Sequence, residues 1–331
     1  MKIPVAALIG LSPPHGVVIR DVESSAQSFL ALHDRVFANY PACGDVVLSI
    51  QLASESDARH FQGYAEAVLL VESVIDTDDE RPSMREDDNW KEQQNPRRDA
   101  ERLASTVFDE AILTLIMCCV IAAPHHFKVD GVLHLSPSPS EFPVHGELEF
   151  ASFLEASHSN KWPDIGQVDA KLVHDWVWKL PGWQEGTGGD QGGRALAAFS
   201  QLLFGAWQLG TPVRLVWALA GLEALFTKGS ANIQQQLFAN SEVLLGPRLG
   251  PKKILAEMYD FRSKFFHGKK DMPFAHRLES ESTWDIYWVE MRQHVDTAAA
   301  MLLASLQKLV ERGWTSFEVM PTLVGQRERE K

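Results

Sequence analysis

The sequence predicts an α+β N-terminal region followed by an all-α helical bundle, and three observations lead to this fold class. The first half mixes short β-like runs with helix-like pieces, whereas the second half has a helical pattern throughout. Between them, PGWQEGTGGDQGGR (181–194) is the most glycine-rich stretch of the chain. The predicted domains are therefore 1–180 and 195–313, followed by a C-terminal tail at 314–331.

Three segments of the first half have the composition of strands: GVVIRDV (16–22), CGDVVLSIQL (43–52) and FKVDGVLHLS (127–136). The stretch 76–101 is polar and charged and contains two prolines, which predicts a solvated loop. Helices are predicted where apolar residues recur with a helical period, with Pro212 at a first helical position and glycines after the last turns. The predicted helices are 99–122, 167–180, 195–209, 211–228, 231–245, 251–268 and 283–312.

Composition limits the class of protein. The chain has 331 residues, of which 45% are apolar, and a formal charge of −13 that argues against general coating of nucleic acid. AILTLIMCCVIAA (111–123) is too short to span a bilayer and predicts a buried helix, and the N-terminus lacks a convincing cleavage site. Three cysteines form neither a disulfide framework nor a metal knuckle. We expect a cytoplasmic protein that needs no membrane, metal or cofactor.

A basic segment interrupts this acidic chain. Between Ser241 and Arg277 there are eight Lys or Arg and four Asp or Glu, a local balance of +4. The segment contains MYDFRSKFFHGKK (258–270), and on a helical wheel Arg262 falls in the middle of its apolar sector. A buried guanidinium needs a partner, and Glu223 is the single acid of an otherwise apolar helix. The two are predicted to pair, either as a buried salt bridge that fixes helix register or as a carboxylate that holds an arginine for use at a site.

His267 lies in the last turn of the same helix, before Gly268. A cation is favoured there by the helix dipole, so capping alone explains its position. On an ideal helix it lies about 140° from Arg262, so the two side chains converge only if the helix end is distorted or if two copies pair.

The string YDFRSKFFHG resembles the R-x4-6-H signature of HEPN domains, in particular the Apea-like group. LVWALAGLEALF (215–226) and RALAAFSQLL (194–203) resemble the two helices that precede that signature. The resemblance covers about 195–312 and implies an HEPN-type helical bundle with the activity of a metal-independent endoribonuclease, in which two domains pair to form one site.

The resemblance assigns roles to individual residues. His267 is expected to act as general acid or base, and Arg262 to stabilise the charge of the transition state. The expected supporting residues are Glu223, Ser263 and Asp260, and the expected RNA-binding residues are Lys264, Lys269 and Lys270. The implied partners are RNA and a second copy of the chain, with a regulatory ligand or partner acting on the N-terminal region.

The sequence leaves alternatives open. Some HEPN domains are non-catalytic modules for dimerisation or nucleotide binding, and Lys269 stands where related toxins often carry a tyrosine. GTGGDQGG (186–193) lacks the Lys-Ser/Thr ending of a phosphate loop and is interpreted as a flexible linker. The tryptophans of WVWKLPGW (176–183) suit either packing between the two halves or base stacking.

Overall fold

The structure is a computed structural model of the chain. The described residues are 1–12, 22–40, 44–61, 65, 67–77, 96–125, 127–137, 151–205, 211–229, 231–248, 253–269 and 281–319. Most of the predicted strand 16–22 and most of the predicted loop 76–101 lie outside these residues.

An antiparallel sheet of five strands occupies the N-terminal half. Its spatial order is β2-β3-β4-β1-β5, and every neighbouring pair runs antiparallel. The sheet brings together strands that lie far apart in the chain, since β1 pairs with both β4 and β5. The strands are β1 (Lys2–Ser12), β2 (Arg35–Tyr40), β3 (Gly44–Leu52), β4 (Ala67–Asp76) and β5 (Lys128–Ser136).

Helices α1 (Val22–Leu30) and α3 (Pro96–Ala122) pack against this sheet. Away from the main core, Leu8, Phe61, Val68 and Leu133 form a small second cluster, to which the turn after the short helix α2 (Glu55–Ala58) contributes. Gly10 is required there, because a Cβ atom would lie 2.5 Å from the ring of Phe61. The small cluster thus covers part of the sheet that α1 and α3 do not.

The remaining helices surround the long helix α10 (Glu281–Arg312), which contacts each helix from α3 to α9. Its middle, from Ala298 to Leu306, is completely buried. At Gly221 a neighbouring helix approaches so closely that a Cβ atom would lie 2.8 Å from Leu302. The surrounding helices are α4 (Ala151–Asn160), α5 (Ala170–Lys179), α6 (Gln191–Ser200), α7 (Thr211–Phe226), α8 (Ile233–Leu245) and α9 (Lys253–Phe266).

The fold class predicted from the sequence, an α+β region followed by a self-contained all-α HEPN-type bundle, is wrong. One continuous hydrophobic core runs from Ile3 in β1 to Val310 in α10. The physical reason is α3, which contacts the sheet on the one hand and α5 and α10 on the other. The fold is therefore a mixed arrangement of an antiparallel sheet and helices around a shared core. The domain limits 1–180, 195–313 and 314–331 stay a prediction.

The apolar run 111–123, which we interpreted as too short to span a membrane, belongs to helix α3. Within it, the segment Arg97–Ala122 is long and apolar enough to cross a bilayer by length and composition, yet 72% of its most apolar window is buried inside the protein. Such burial is typical of a core helix in a soluble protein. Cys118 and Cys119 are fully buried there, and burial raises the pKa of the Cys118 thiol to about 12.

The glycine-rich stretch, interpreted from the sequence as a flexible linker, forms a loop that its own hydrogen bonds close. The amide of Thr187 donates to the carbonyl of Gly182 (2.8 Å), and Asp190 caps α6 by accepting from the amide of Gly193 (2.8 Å). Gly188 allows the closure, because a Cβ atom would lie 2.7 Å from the backbone of Gly193. The loop therefore places its residues firmly against the start of α6.

Candidate functional site

The motif helix α9 packs against α7, α8 and α10. Its buried side chains are Ile254, Leu255, Met258 and Phe261, which are spaced at intervals of one, three and three and so form one helical face. This is the apolar sector that the wheel predicts. The same wheel places Phe266 on the apolar side, but its side chain is 57% exposed at the end of the helix.

The predicted pairing of Arg262 with Glu223 is confirmed. An Nη1 atom of Arg262 donates to Oε1 of Glu223 at 2.7 Å, and the two side chains are 30% and 20% exposed. The hydroxyl of Tyr259 donates to the same oxygen at 3.0 Å. Burial, followed by the charge of Glu223 and the hydrogen bond to it, raises the pKa of the Tyr259 phenol well above its ordinary value, so this residue remains a neutral donor.

The guanidinium of Arg262 is anchored but not fully satisfied. Its Nε is buried and has no hydrogen-bond partner within the described part of the chain. Its central carbon lies 5.8 Å from the ring centroid of Phe266, which covers it on one side. With one Nη bonded and almost a third of the side chain exposed, Arg262 retains donors for an anion that approaches from solvent.

His267 lies just beyond the last helical residue, in a Schellman turn. The amide of Lys269 donates to the carbonyl of Lys264 (2.8 Å), and the amide of Gly268 donates to that of Phe265 (3.2 Å). Gly268 has a φ of +62°, which a glycine adopts without strain. The His267 side chain is exposed, so the turn leaves its imidazole accessible to solvent.

The predicted supporting residues Asp260 and Ser263 and the predicted RNA-binding residue Lys264 lie on the outer face of α9, whereas Glu223 lies on α7. Asp260 and Lys264 are exposed and form an ion pair with each other (2.6 Å). Ser263 and Lys269 are also exposed. Lys270 lies outside the described residues. The basic character of the segment is thus partly neutralised by pairs within it.

Comparison with protein-family models, with curated proteins and with solved structures returned no match. The resemblance to HEPN domains therefore depends on the motif residues of the sequence alone.

The structure also contains functional candidates that sequence reasoning missed. Tyr259 shares the carboxylate of Glu223, yet its position on the apolar side of the helix indicated only core packing. A second group, around Glu110 and Trp183, lines a cavity between α3, α5 and α6. No local motif signals that cavity, because its walls come from segments that lie far apart in the chain. Within the described residues, no three His, Cys, Asp or Glu side chains are grouped to hold a metal ion.

Proposed function

We propose that this protein is a metal-independent endoribonuclease of the HEPN type. It cuts RNA by attack of a 2′-hydroxyl on the adjacent phosphate and leaves 2′,3′-cyclic phosphate and 5′-hydroxyl ends. The observation that supports this proposal best is an arginine held by a carboxylate at a partly exposed position, with an accessible histidine five residues later.

In the proposed reaction the 2′-oxygen bonds to phosphorus while the bond from phosphorus to the 5′-oxygen breaks. His267 accepts the proton of the 2′-hydroxyl or supplies one to the leaving 5′-oxygen. Arg262 donates to the phosphoryl oxygens, where negative charge accumulates in the transition state. Glu223 and Tyr259 fix the guanidinium before RNA arrives, which lowers the entropic cost of positioning it.

The active unit in this proposal is a homodimer. Within one chain, helical geometry places Arg262 and His267 about 140° apart, so they do not converge on one phosphate. A two-fold arrangement of the C-terminal helices brings Arg262 of one copy close to His267 of the other. The exposed ring of Phe266 lies beside both residues and supplies apolar surface for such a contact.

Binding of RNA relies on the local charges of α9, since the chain as a whole is acidic. Lys269 is exposed and directly follows Gly268 in the turn, where it reaches a phosphate of the same strand. Lys264 contributes after exchanging Asp260 for phosphate, Ser263 orients a phosphate oxygen or a water, and Lys270 extends the contact. We place the enzyme in the cytoplasm, in phage defence, as a toxin or in a stress response, with the N-terminal region sensing the trigger.

A second candidate function is a non-catalytic module for dimerisation or nucleotide binding. The observation that favours it is that Arg262 already has a partner in Glu223, while His267 takes its place in a regular helix-ending turn. In that case the pair fixes the register of α7 and α9, and the loss of Arg262 affects folding rather than chemistry.

The decisive experiment measures cleavage of end-labelled structured and unstructured RNA in EDTA. We expect wild type to cut and to leave cyclic phosphate ends, and Arg262→Ala and His267→Ala to be inactive but folded by circular dichroism. Arg292→Ala, at an exposed arginine of α10, serves as the matched control and keeps full activity. Inactive wild type together with an unfolded Arg262→Ala variant favours the non-catalytic module.

Mixing the two inactive variants tests the composite site. A heterodimer of Arg262→Ala and His267→Ala contains one site with both residues intact, so the mixture regains cleavage. If both groups act from the same chain, the mixture stays inactive.

A further inference from the structure

A cavity of about 550 Å³ lies between α3, α5, α6 and the glycine-rich loop, and neither the motif helix nor the proposed ribonuclease site contributes to it. This volume is within the range of small-molecule sites in proteins. Its wall includes Phe37 of β2, so the cavity lies where the sheet half and the helical half of the fold meet. The loop that closes one side is the tightly hydrogen-bonded turn described above.

Aromatic rings form much of the wall. Phe37, Trp178, Trp183 and Phe204 all line the cavity. The indole of Trp178 is held in place, because its Nε1 donates to Nε2 of His174 at 2.9 Å. Rings that are fixed in this way present π faces to an occupant without an entropic cost on binding.

The charge of the lining has one sign. Glu110 and Glu185 are the charged residues of the wall, and no Lys, Arg or His is present among the described residues that line it. No described residue forms an ion pair with Glu110, and burial raises the pKa of its carboxyl group above the ordinary value. A cation bound in the cavity would pair with this carboxylate, and no described residue of the lining supplies one.

We propose that this cavity is a binding site for a small organic cation with an aromatic or similarly apolar body, in which Glu110 pairs with the ammonium group and the tryptophan rings enclose the rest. Attraction between a cation and aromatic faces adds to the ion pair. The net charge of −13 favours the entry of cations and opposes that of anions such as phosphates. This site is independent of the proposed ribonuclease activity, and its occupancy offers the N-terminal half a ligand to sense.

The test uses three indole compounds of nearly equal shape: tryptamine as the cation, tryptophol as the neutral analogue and indole-3-propionate as the anion. Binding to the full chain is measured by isothermal titration calorimetry and saturation-transfer difference NMR. We expect tryptamine to bind at least tenfold more tightly than tryptophol, and indole-3-propionate not to bind.

Two variants assign the binding to the cavity. Glu110→Gln weakens tryptamine about tenfold and leaves tryptophol unchanged. Ala197→Phe fills the cavity from an exposed position of α6 and abolishes binding of both compounds. Glu101→Gln, an acid of the same helix that pairs with Arg97 outside the cavity, changes neither affinity. Equal affinity for all three compounds, no binding of tryptamine to wild type, or tryptamine binding that survives Ala197→Phe overturns the proposal.

Discussion

At the scale of single residues, Glu223 determines the electrostatics of the motif helix, because one of its oxygens accepts hydrogen bonds from both Tyr259 and Arg262. Glu223→Gln removes the negative charge and leaves a largely buried guanidinium without a counter-charge. We expect it to lower the free energy of unfolding by about 1–3 kcal/mol in urea denaturation.

The matched control for Glu223 is Asp260, whose pair with Lys264 is exposed on the same helix. Asp260→Asn is expected to change the free energy of unfolding by about 0.5 kcal/mol or less, since water screens the pair. Similar losses for both variants would show that burial does not strengthen the Glu223 pair.

Two other acids are expected to shift stability with pH in opposite directions. Asp296 is buried and accepts a hydrogen bond from Ser152. Burial raises the pKa of its carboxyl group and outweighs this hydrogen bond and the charges of Arg292 and Arg214, which lower the pKa, while the charge of Glu155 raises it further. The folded protein therefore holds the Asp296 proton more tightly than the unfolded chain does. Asp296 consequently lowers stability as pH rises from the ordinary pKa of an aspartate through the higher pKa of the folded state. Relative to wild type, Asp296→Asn should gain stability as pH rises above the ordinary pKa of an aspartate.

Asp175 shows the reverse behaviour and so serves as the comparison. Partial burial tends to raise its pKa, but a hydrogen bond to His174 and the charge of Arg35 outweigh burial and lower it. The ionised form contributes stability that is present above the ordinary pKa and is lost as pH falls. Asp175→Asn should therefore be less stable than wild type near neutral pH, and the deficit should shrink in acid. Urea denaturation across the pH series measures both variants, and parallel curves for the two would contradict the assigned signs.

Residue-scale prediction from sequence succeeded where two conspicuous charges shared one environment. Arg262 in an apolar sector and Glu223 in an apolar helix were both anomalous, and each supplied the partner that the other required. Tyr259 was not predicted as the second donor because tyrosine is ordinary on a half-buried face. Glu110 was also missed, since nothing in a long apolar helix shows which side faces a cavity.

At the scale of elements, the turn that ends α9 determines how His267 is presented. Gly268 has a φ of +62°, and no atom of the described residues other than its chain neighbours lies within 4 Å of the position that a Cβ atom would occupy. Gly268→Ala is therefore destabilised by backbone strain alone, and we expect a loss of about 1 kcal/mol in thermal or urea unfolding. If the turn positions the histidine for catalysis, RNA cleavage decreases more than stability does.

Gly166 provides the control for backbone strain. A Cβ atom there also meets open space, but its backbone is outside the left-handed region. Gly166→Ala should remain within about 0.5 kcal/mol of wild type. A Gly268→Ala variant as stable as Gly166→Ala would mean that the turn relaxes into another conformation.

Elements with a strong local period were predicted closely, whereas those defined by distant partners were not. The predicted helix 231–245 is observed as Ile233–Leu245, and the predicted strand 43–52 as Gly44–Leu52. Strands β1, β2 and β4 were missed. β1 is buried along most of its length, which removes the alternation of apolar and polar residues that marks a half-exposed strand. Only its pairing with β4 and β5 makes it a strand, and that pairing is not a local property.

At the scale of the whole molecule, the predicted domain limits depend on the glycine-rich stretch as a boundary, and they stay a prediction. In the fold, that stretch closes on itself, and the residues after α10 return to the same place. Trp176 donates to the carbonyl of Trp314 (2.7 Å), and the amide of Gly192 donates to that of Thr315 (2.8 Å). Gln307 of α10 is buried and binds the carbonyls of both Ile121 and Gly166. These hydrogen bonds join segments that lie far apart in the chain, and no repeating pattern of apolar residues in the sequence predicts such contacts.

The shared core predicts that the sheet and the helices unfold together. Leu219 is completely buried in α7, so Leu219→Ala should lower the free energy of unfolding by about 2–5 kcal/mol. If the chain is one cooperative unit, the free energy of opening measured by hydrogen exchange falls by the same amount in β1 as in α7, although the substitution does not touch β1. Val243→Ala, at a side chain that is 65% exposed, should alter neither. Were the predicted domains 1–180 and 195–313 independent, protection in β1 would stay at its wild-type value while protection in α7 was lost. The experiment therefore decides whether a ligand in the cavity, which contacts both halves, is able to influence α9 through the core.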